Sequence, residues 1–332
     1  MNNVRTAQAE ALATFILDAF RSGAIEEYTR PFQNRFATLG GQYNPVRGAR
    51  YQGSNQMFLS AVALQRGVAD NRWMTFKQAR DLGCHVRRGA KSVPVAFFTA
   101  LPTDEKDEDG EEVTRKVWRH YNVFNGSDIE GLPPEQEPIP MDPKERHALC
   151  EQLMADSPAP IRHVPGSYAY YDAGVDEIVL PMRDQFRSAE AFYAVALHEM
   201  GHSTGHASRL NRDMRGVFGS EQYAKEELRA EIASMLACQR LGLQHEVGHH
   251  IAYLDSWSKI LADKPTEILS ACADAEKICD YLGILAPTLE PMVPLTPDAE
   301  ATARVADQAR VITRVLEQTY LANERRGPEL AM

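Results

Sequence analysis

The pentapeptide HEMGH at residues 198–202 constrains the fold of this chain more than any other feature. On an α-helix, positions i and i+4 lie one turn apart on the same face, so His198 and His202 can direct their imidazoles toward one cation. Glu199 lies beside them and can act as a general base toward water without binding the ion. The apolar run AFYAVAL before the motif indicates a buried helix, and buried histidines need partners. The pattern predicts the central helix of a zinc-dependent metallohydrolase domain.

A third protein ligand is expected, because catalytic zinc sites usually combine three protein ligands with one open position. In the metzincin pattern H-E-x-x-H-x-x-G-x-x-H the third ligand is a histidine, and that position is Ser208 here. His206 lies two residues short of it. The sequence therefore excludes the metzincin subclass.

The other source of a third ligand is a glutamate on a following helix, and EELRAE at 226–231 supplies three. Glu227 and Glu231 share a helix face, so one can bind the metal while the other holds a ligand histidine in place. Spacing alone does not fix their order; we favour Glu227 as the ligand and Glu231 as the supporting carboxylate. The alternative is a solvent-exposed face on which they pair with Lys225 and Arg229.

Two imidazoles and a carboxylate predict Zn²⁺ as the cofactor, and Mn²⁺ or Co²⁺ can bind the same donors. Hydrolysis would also need a donor for the developing oxyanion. His250 and Tyr253, in HHIAYLDSW, are the nearest suitable polar side chains on a later helix. We assign them this catalytic role, with a capping or core role as the alternative.

Composition narrows the class of protein. Apolar content of 44% and charged content of 25% are typical of a soluble globular chain. No long uncharged apolar run predicts a membrane span, and the N-terminal residues lack the apolar block of a secretory signal. The five scattered cysteines form no C-x-x-C pair, which favours reduced thiols. We expect a cytoplasmic protein with no membrane partner.

Charge and proline content divide the chain. Residues 1–100 hold thirteen Lys/Arg and six Asp/Glu, a net charge of +7, so the total of −10 leaves −17 on residues 101–332. The stretch at 131–143 contains five prolines and has no helical or strand period, which is typical of an extended linker.

We predict an α+β protein with an N-terminal mixed α/β domain and a C-terminal, mostly helical domain. The predicted segments are 1–130, a linker at 131–144, the metal-binding domain at 145–290 and a helical tail at 291–332.

Six sequence blocks follow one another along the chain: YQGSNQMFL (51–59), NRWMTFKQARDLGCHVRRGAKS (71–92), DEIVLP (176–181), HEMGHSTGHASRLNRD (198–213), EELRAEIAS (226–234) and HHIAYLDSW (249–257). Together they resemble the ArdC family of plasmid- and phage-borne antirestriction proteins, and the resemblance runs from about residue 30 to 285. The resemblance implies an N-terminal single-stranded-DNA-binding domain, similar to part of conjugative TraC-type primases, and a zincin-like metallopeptidase domain. Such proteins protect incoming DNA from host restriction endonucleases. The family's metal histidines would be His198 and His202, its base Glu199 and its glutamate ligand Glu227.

Basic and aromatic side chains alternate in the front region, and single strands are held by cations on the phosphates and aromatic faces under the bases. The predicted contacts to DNA are Arg47, Arg50, Arg72, Lys77, Arg87, Arg88, Lys91, Tyr51 and Trp73. VRRGAKS at 86–92 is typical of a basic turn. For Trp73 the alternative is a place in the core.

Three functions remain open at this point. In the first, the chain is a metallopeptidase tethered to single-stranded DNA, with a host restriction enzyme or another protein as its substrate. Alternatively, it is a DNA-binding shield in which the metal is only structural, or a mimic that uses its acidic surface to occupy a DNA-binding enzyme. Replacing Glu199 distinguishes the first from the other two.

Overall fold

The structure is a computed structural model that describes residues 6–14, 41–106, 112–135, 141–217, 219–243, 254–286 and 289–293. Within these ranges the N-terminal part of the chain, up to residue 135 and called the front part below, is mixed α/β. The part from residue 141 onward is mostly helical. This confirms the predicted fold class. None of the described helices has the length and apolar character needed to cross a membrane.

The front part combines short strands, one long hairpin and three helical segments. Its elements are β1 (Tyr43–Asn44), β2 (Ala49–Arg50), α1 (Gly53–Gln65), β3 (Trp73–Thr75), α2 (Phe76–Asp81), β4 (His85–Val86), β5 (Val93–Lys106), β6 (Glu112–Asn125) and β7 (Ile129–Glu130), and residues 6–14 are also helical. Strands β3, β6 and β5 form an antiparallel sheet in that order, and β1–β2 and β4–β7 form two small ladders. Thr75 begins α2 with a capping box to Gln78.

The long hairpin extends further than its sequence pattern indicates. Apolar runs at 93–98 and 117–125 predict two strands joined by a charged excursion, but β5 continues to Lys106 and β6 begins at Glu112. The ladder has a register shift between Pro102 and Lys106. Backbone pairing is independent of side-chain charge, so a ladder can continue into an acidic segment once its register is set.

The second part carries three strands and five helices: α3 (Pro143–Ala155), β8 (Ile161–Val164), β9 (Tyr170–Asp172), β10 (Glu177–Pro181), α4 (Ala189–Ser203), α5 (Glu221–Leu241), α6 (Leu254–Asp263) and α7 (Glu267–Tyr281). Strand β10 pairs in parallel with β8 and antiparallel with β9. Ser188 caps α4 by accepting from the Ala191 backbone N–H at 3.0 Å. Gly242, with φ +67°, ends α5 in the left-handed conformation that favours glycine.

A single hydrophobic cluster extends through both parts of the chain, from Leu59 on α1 to Ile268 on α7. Helix α1 packs on α7, α7 on α5, and α5 on α4. A carboxylate reinforces the junction: Glu276 Oε1 accepts from the Gly53 backbone N–H at 2.6 Å, and Arg240 donates to its other oxygen. The two parts are therefore packed against each other through a shared core.

The segments around the predicted boundaries also pack on the front part. In the first half of the predicted linker, the Pro133 carbonyl accepts from Arg72, and Glu135 accepts from the Asn71 N–H at 2.9 Å. Helix α3 begins within the linker's last residues. The bounds of the four predicted segments stay predictions, and the predicted helical tail lies outside the described residues from residue 294 onward.

Residues 289–293 return to the front of the chain. The Leu289 N–H donates to the Gly48 carbonyl at 2.9 Å, and the Met292 N–H donates to the Pro45 carbonyl at 2.7 Å. Met292 also packs against a second, smaller core cluster formed by the front part.

Candidate metal centre

Helices α4 and α5 bring two histidines and one glutamate together. The Nε2 atoms of His198 and His202 are 3.1 Å apart. Glu227 Oε2 lies 3.6 Å from His198 Nε2, and Glu227 Oε1 lies 3.5 Å from His202 Nε2. All three side chains are buried, and their ligand atoms lie within 4.8 Å of one another. The helical spacing on α4 sets the two rings on one face, and α5 supplies the carboxylate opposite them.

These residues fit a divalent ion by the chemistry of their donors. Two imidazole nitrogens and one carboxylate are the ligand set of the gluzincin type, with room for a further ligand. The outward-facing nitrogen of each ring also lies near a carboxylate: His198 Nδ1 is 3.5 Å from Glu231 Oε2, and His202 Nδ1 is 3.3 Å from Glu226 Oε1. Such pairing orients a ligand histidine toward a metal. The geometry has Glu227 facing both Nε2 atoms and Glu231 behind His198, the arrangement favoured from the sequence.

Carboxylates dominate the electrostatics of the cluster. Burial lowers the pKa of His202, but Glu227 and Glu226 outweigh it and raise this pKa to about 9. Burial also opposes charge on His198, yet Glu227 and Glu231 raise its pKa well above the usual value. Burial raises the pKa of Glu227, and the two imidazoles reverse this and hold it well below its usual range. The surrounding carboxylates therefore place negative charge around the two histidines, and this stabilises positive charge at the centre of the cluster.

Arg212 lies behind Glu226. Its Nη2 donates to Glu226 Oε1 at 2.7 Å, and its Nε donates to Oε2 at 3.1 Å. The same guanidinium donates to the Thr204 hydroxyl at 2.7 Å and to the Gly201 carbonyl at 2.8 Å, both near the end of α4. Burial raises the pKa of Glu226, but His202 and Arg212 lower it below its usual value. One arginine thus joins the end of α4 to the start of α5.

The cluster opens into a cavity of about 410 Å³. Its wall is rich in aromatic side chains: Tyr168, Tyr170, Tyr171, Phe186 and Tyr223. Tyr168 is 81% exposed, at the surface of this wall. Three carboxylates, Glu199, Glu226 and Glu227, line the inner end, and no lysine or arginine is among the described lining residues.

The other predicted residues near the site have different outcomes. His250 and Tyr253 lie outside the described residues. His206, the histidine two positions short of the metzincin ligand, is not among the residues lining the cavity; its Nδ1 lies 2.8 Å from the Ser208 hydroxyl. The geometry agrees with the exclusion of the metzincin pattern.

Two domain profiles and two crystal structures match this chain. Residues 6–124 match the profile of the N-terminal domain of anti-restriction factor ArdC, and residues 148–274 match that of a zincin-like metallopeptidase. The metal-free crystal structure of antirestriction protein ArdC from plasmid R388 is similar at 31% identity and a TM-score of 0.64, covering 83% of this chain and 96% of that one. Its Mn(II)-bound structure is similar at 30% identity and a TM-score of 0.66, with the same coverage.

The chain belongs to the ArdC antirestriction family. This confirms the resemblance inferred from the six sequence blocks.

Two longer proteins and one of similar length are also similar to this chain. A DNA primase TraC of Escherichia coli is 41% identical over 290 residues, which is 82% of this chain and 20% of that protein. A second TraC of the same species is 41% identical over 299 residues, 85% of this chain and 27% of that protein. The uncharacterized protein y4eC of Sinorhizobium fredii (strain NBRC 101917 / NGR234) is 34% identical over 280 residues, 82% of this chain and 90% of that protein. The chain thus spans about a quarter or less of the two primases it matches.

In this ArdC-family chain, three of the residues predicted to contact DNA are buried. Trp73 is 0% exposed, and its indole N–H donates to Gln42. Tyr51 is 5% exposed and donates to the Trp73 carbonyl, while Arg72 is 4% exposed and pairs with Asp70. The prediction that these three side chains contact DNA is wrong for this conformation, because their polar atoms and ring faces are used within the core.

The remaining predicted DNA contacts are more accessible. Arg50 is partly buried; it donates to the Gly41 carbonyl, and its guanidinium lies 6.0 Å from the centre of the Tyr43 ring. Five others are exposed: Arg47, Lys77, Arg87, Arg88 and Lys91. The last three lie in or directly beside a turn after β4, in which Gly89 has φ +88°.

Sequence reasoning missed two residues of this candidate metal centre. Glu226 adjoins the favoured ligand but was assigned no role, and Arg212 occurs in a recognised block without one. The available signal was the position of Glu226 in EELRAE, about 100° around the helix from Glu227 and so beside the other histidine. No sequence signal indicated the contact between Arg212 and Glu226.

Proposed function

We propose that this ArdC-family protein binds single-stranded DNA with its front part and hydrolyses polypeptide at a divalent-metal site, and that both activities protect incoming DNA from host restriction. One observation carries the proposal: His198, His202 and Glu227 converge beside Glu199 at the inner end of an open cavity. Structural metal sites are normally closed by four protein ligands. Three ligands at a cavity are the arrangement of a catalytic site.

The cavity favours polypeptide over nucleic acid as the substrate. Three glutamates and no described lysine or arginine line it, so a phosphodiester would meet repulsion without a compensating cation from the wall. Strand β9 contributes Tyr170 and Tyr171 to the wall, and among the described strands β9 pairs only with β10. An edge strand at the rim can pair with an extended polypeptide.

The residues of the site divide the work of hydrolysis. His198, His202 and Glu227 would hold the ion, which when bound supplies Lewis acidity to polarise a carbonyl and acidify water. Glu199 takes a proton from the attacking water and delivers it to the leaving nitrogen. Glu231 holds the His198 ring in orientation through its Nδ1 atom.

The DNA-binding part of the proposal rests on exposed cations of the front part. Arg87, Arg88 and Lys91 are exposed on one turn, and Phe76, 57% exposed, offers an aromatic face elsewhere on the same part. Cations and aromatic faces are the two elements that hold single strands without sequence preference. The match to the N-terminal domain of an antirestriction factor supports the same assignment.

The test uses the full chain and Glu199→Gln, with Glu221→Gln as the matched control because Glu221 is an exposed residue at the start of α5. Metal content, cleavage of an unfolded polypeptide and protection of transferred DNA from restriction are measured together. We expect Glu199→Gln to retain the ion and to lose both cleavage and protection. Full protection by this variant would overturn the peptidase role and leave a DNA shield with a structural metal.

A second arm tests DNA binding with Arg87→Glu, Arg88→Glu and Lys91→Glu combined, and with Lys277→Glu as an exposed control on α7. The triple variant should bind an oligonucleotide more weakly, and the salt slope should fall by about 0.7 per lost phosphate contact. An unchanged affinity and slope would contradict the assignment of this turn.

A further inference from the structure

We infer that Arg212 and Glu226 are positioning residues that fix the ring of His202 for metal binding. The inference rests on the proposed metal site and goes beyond it, because neither residue belongs to the H-E-x-x-H motif or to the ligand set. It gives a role to the second half of the block HEMGHSTGHASRLNRD, which the proposed function leaves unused.

Glu226 is shared between the histidine and the arginine. Its Oε1 lies 3.3 Å from His202 Nδ1 and 2.7 Å from Arg212 Nη2, and its Oε2 lies 3.1 Å from Arg212 Nε. A carboxylate that accepts from Nδ1–H fixes the tautomer with a lone pair on Nε2. In His202 that Nε2 atom is the one that faces His198 and Glu227.

Arg212 fixes the carboxylate in turn. Two nitrogens of its planar guanidinium bind the two oxygens of Glu226, so the carboxylate cannot rotate without breaking a contact. The same side chain also donates to the Gly201 carbonyl and the Thr204 hydroxyl, next to His202 in the chain. Arginine therefore holds both the helix that carries the ligand and the carboxylate that orients it.

A lysine could not replace this arginine. The ammonium group is a single point donor, whereas four contacts here use three nitrogens of one rigid fork. The side chains of Arg212 and Glu226 are only 9% and 7% exposed. Buried ion pairs are weak sources of stability, so a role in orientation explains the placement of this pair better than stability does.

The experiment compares wild type, Glu226→Gln and Arg212→Lys in the full chain, with Arg215→Ala as the control. Arg215 belongs to the same segment, but its side chain is 89% exposed and, within the described part of the chain, pairs with nearby Asp213. Dissociation constants for Mn²⁺ and Co²⁺ are measured by chelator competition, and the visible spectrum of the Co²⁺ form reports the geometry around the ion. Melting temperature is recorded for each variant.

We expect the dissociation constants of both variants to rise by about 10- to 100-fold, with a changed Co²⁺ spectrum. Glu226→Gln should be the milder change, since its amide oxygen still accepts from the ring. Arg215→Ala should match wild type. A lower melting temperature with unchanged affinity and spectrum would show that the pair only stabilises the fold, and would overturn the inference.

Two outcomes keep the inference separate from the proposed function. If wild type itself binds neither ion, the metal site and the proposed hydrolase fail together. If wild type binds and both variants bind equally well with the same spectrum, only the positioning role fails. Should Arg212→Lys not fold, Glu226→Gln decides alone, because glutamine keeps the size of the side chain but loses its charge and one of the two oxygens that accept from Arg212.

Discussion

At the scale of single residues, Gly205 shows how closely the segment after α4 approaches the metal centre. A Cβ atom at this position would lie 2.9 Å from Arg212 Nη2, 2.5 Å from Met214 Sδ and 3.0 Å from the His202 carbonyl oxygen. Gly201, one turn earlier, would meet only ordinary contacts, at 3.7 Å or more. A side-chain methyl group would therefore clash at Gly205 but would fit at Gly201.

Gly205→Ala should therefore weaken divalent-ion affinity, because the new methyl group displaces Arg212 from Glu226. We expect a loss of about 1–3 kcal/mol in the free energy of unfolding from overpacking, and a dissociation constant raised in parallel. Gly201→Ala is the control: alanine favours a helix by up to about 1 kcal/mol over glycine, and ion affinity should not change. Denaturant unfolding and chelator competition measure both. Equal ion affinity in the two variants would show that the position of Arg212 is unimportant.

A site residue could be predicted from sequence where local helical spacing sets its position, and could not be predicted where the path of a loop sets it. His198, Glu199 and His202 were found because their geometry depends only on helical spacing. Arg212 was not found, because its contact depends on how a non-helical segment returns toward α5. The DNA-binding set failed at Trp73 and Tyr51, since amino-acid type alone does not distinguish an exposed ring from a buried one.

At the scale of elements, helices were predicted better than strands. Ser188 before the apolar run of α4 and Gly242 after α5 are residues of the types that cap helices, and both cap in the structure because capping is a local property. The lengths of strands β5 and β6 were underestimated, because each strand extends as far as it pairs with the other. The packing of α1 on α7 left no recognised signal in either helix.

The contact between α1 and α7 gives a prediction for Glu276. Its carboxylate binds the first backbone N–H of α1 and the guanidinium of Arg240, whose side chain is only 6% exposed. Glu276→Ala leaves a buried cation without its carboxylate, and should lower the free energy of unfolding by about 3 kcal/mol.

Lys277→Ala serves as the control for Glu276→Ala. Lys277 is 65% exposed and pairs with Asp274 on the surface of the same helix. Its loss should change stability by less than about 0.5 kcal/mol. Similar stabilities of the two variants in urea unfolding would show that the junction contributes little.

At the scale of the whole molecule, the front part and the metal-binding part share one hydrophobic cluster. Leu59 and Trp73 from the front belong to the same cluster as Met200 and Ile268. Charge divides the chain into a basic front and an acidic remainder, but the apolar core does not follow this division. The two parts should therefore respond together to anything that stabilises either one.

Calorimetry of the full chain should show one unfolding transition, and a divalent ion should move it as a whole. At a free ion concentration about 100 times the dissociation constant, mass action adds about 2.7 kcal/mol of stability. The effect should disappear in Glu227→Ala, which lacks the carboxylate facing both histidines. Two separate transitions, with only one moved by the ion, would show that the parts unfold independently.

The return of residues 289–293 to the loop between β1 and β2 ties a segment that follows α7 to the front part of the chain. The Leu289 and Met292 N–H groups donate to the Gly48 and Pro45 carbonyls, on either side of the exposed Arg47. The path of this loop therefore depends on residues from the far end of the described chain. A substitution in residues 289–293 would alter the surroundings of a predicted DNA contact without changing any residue of the front part.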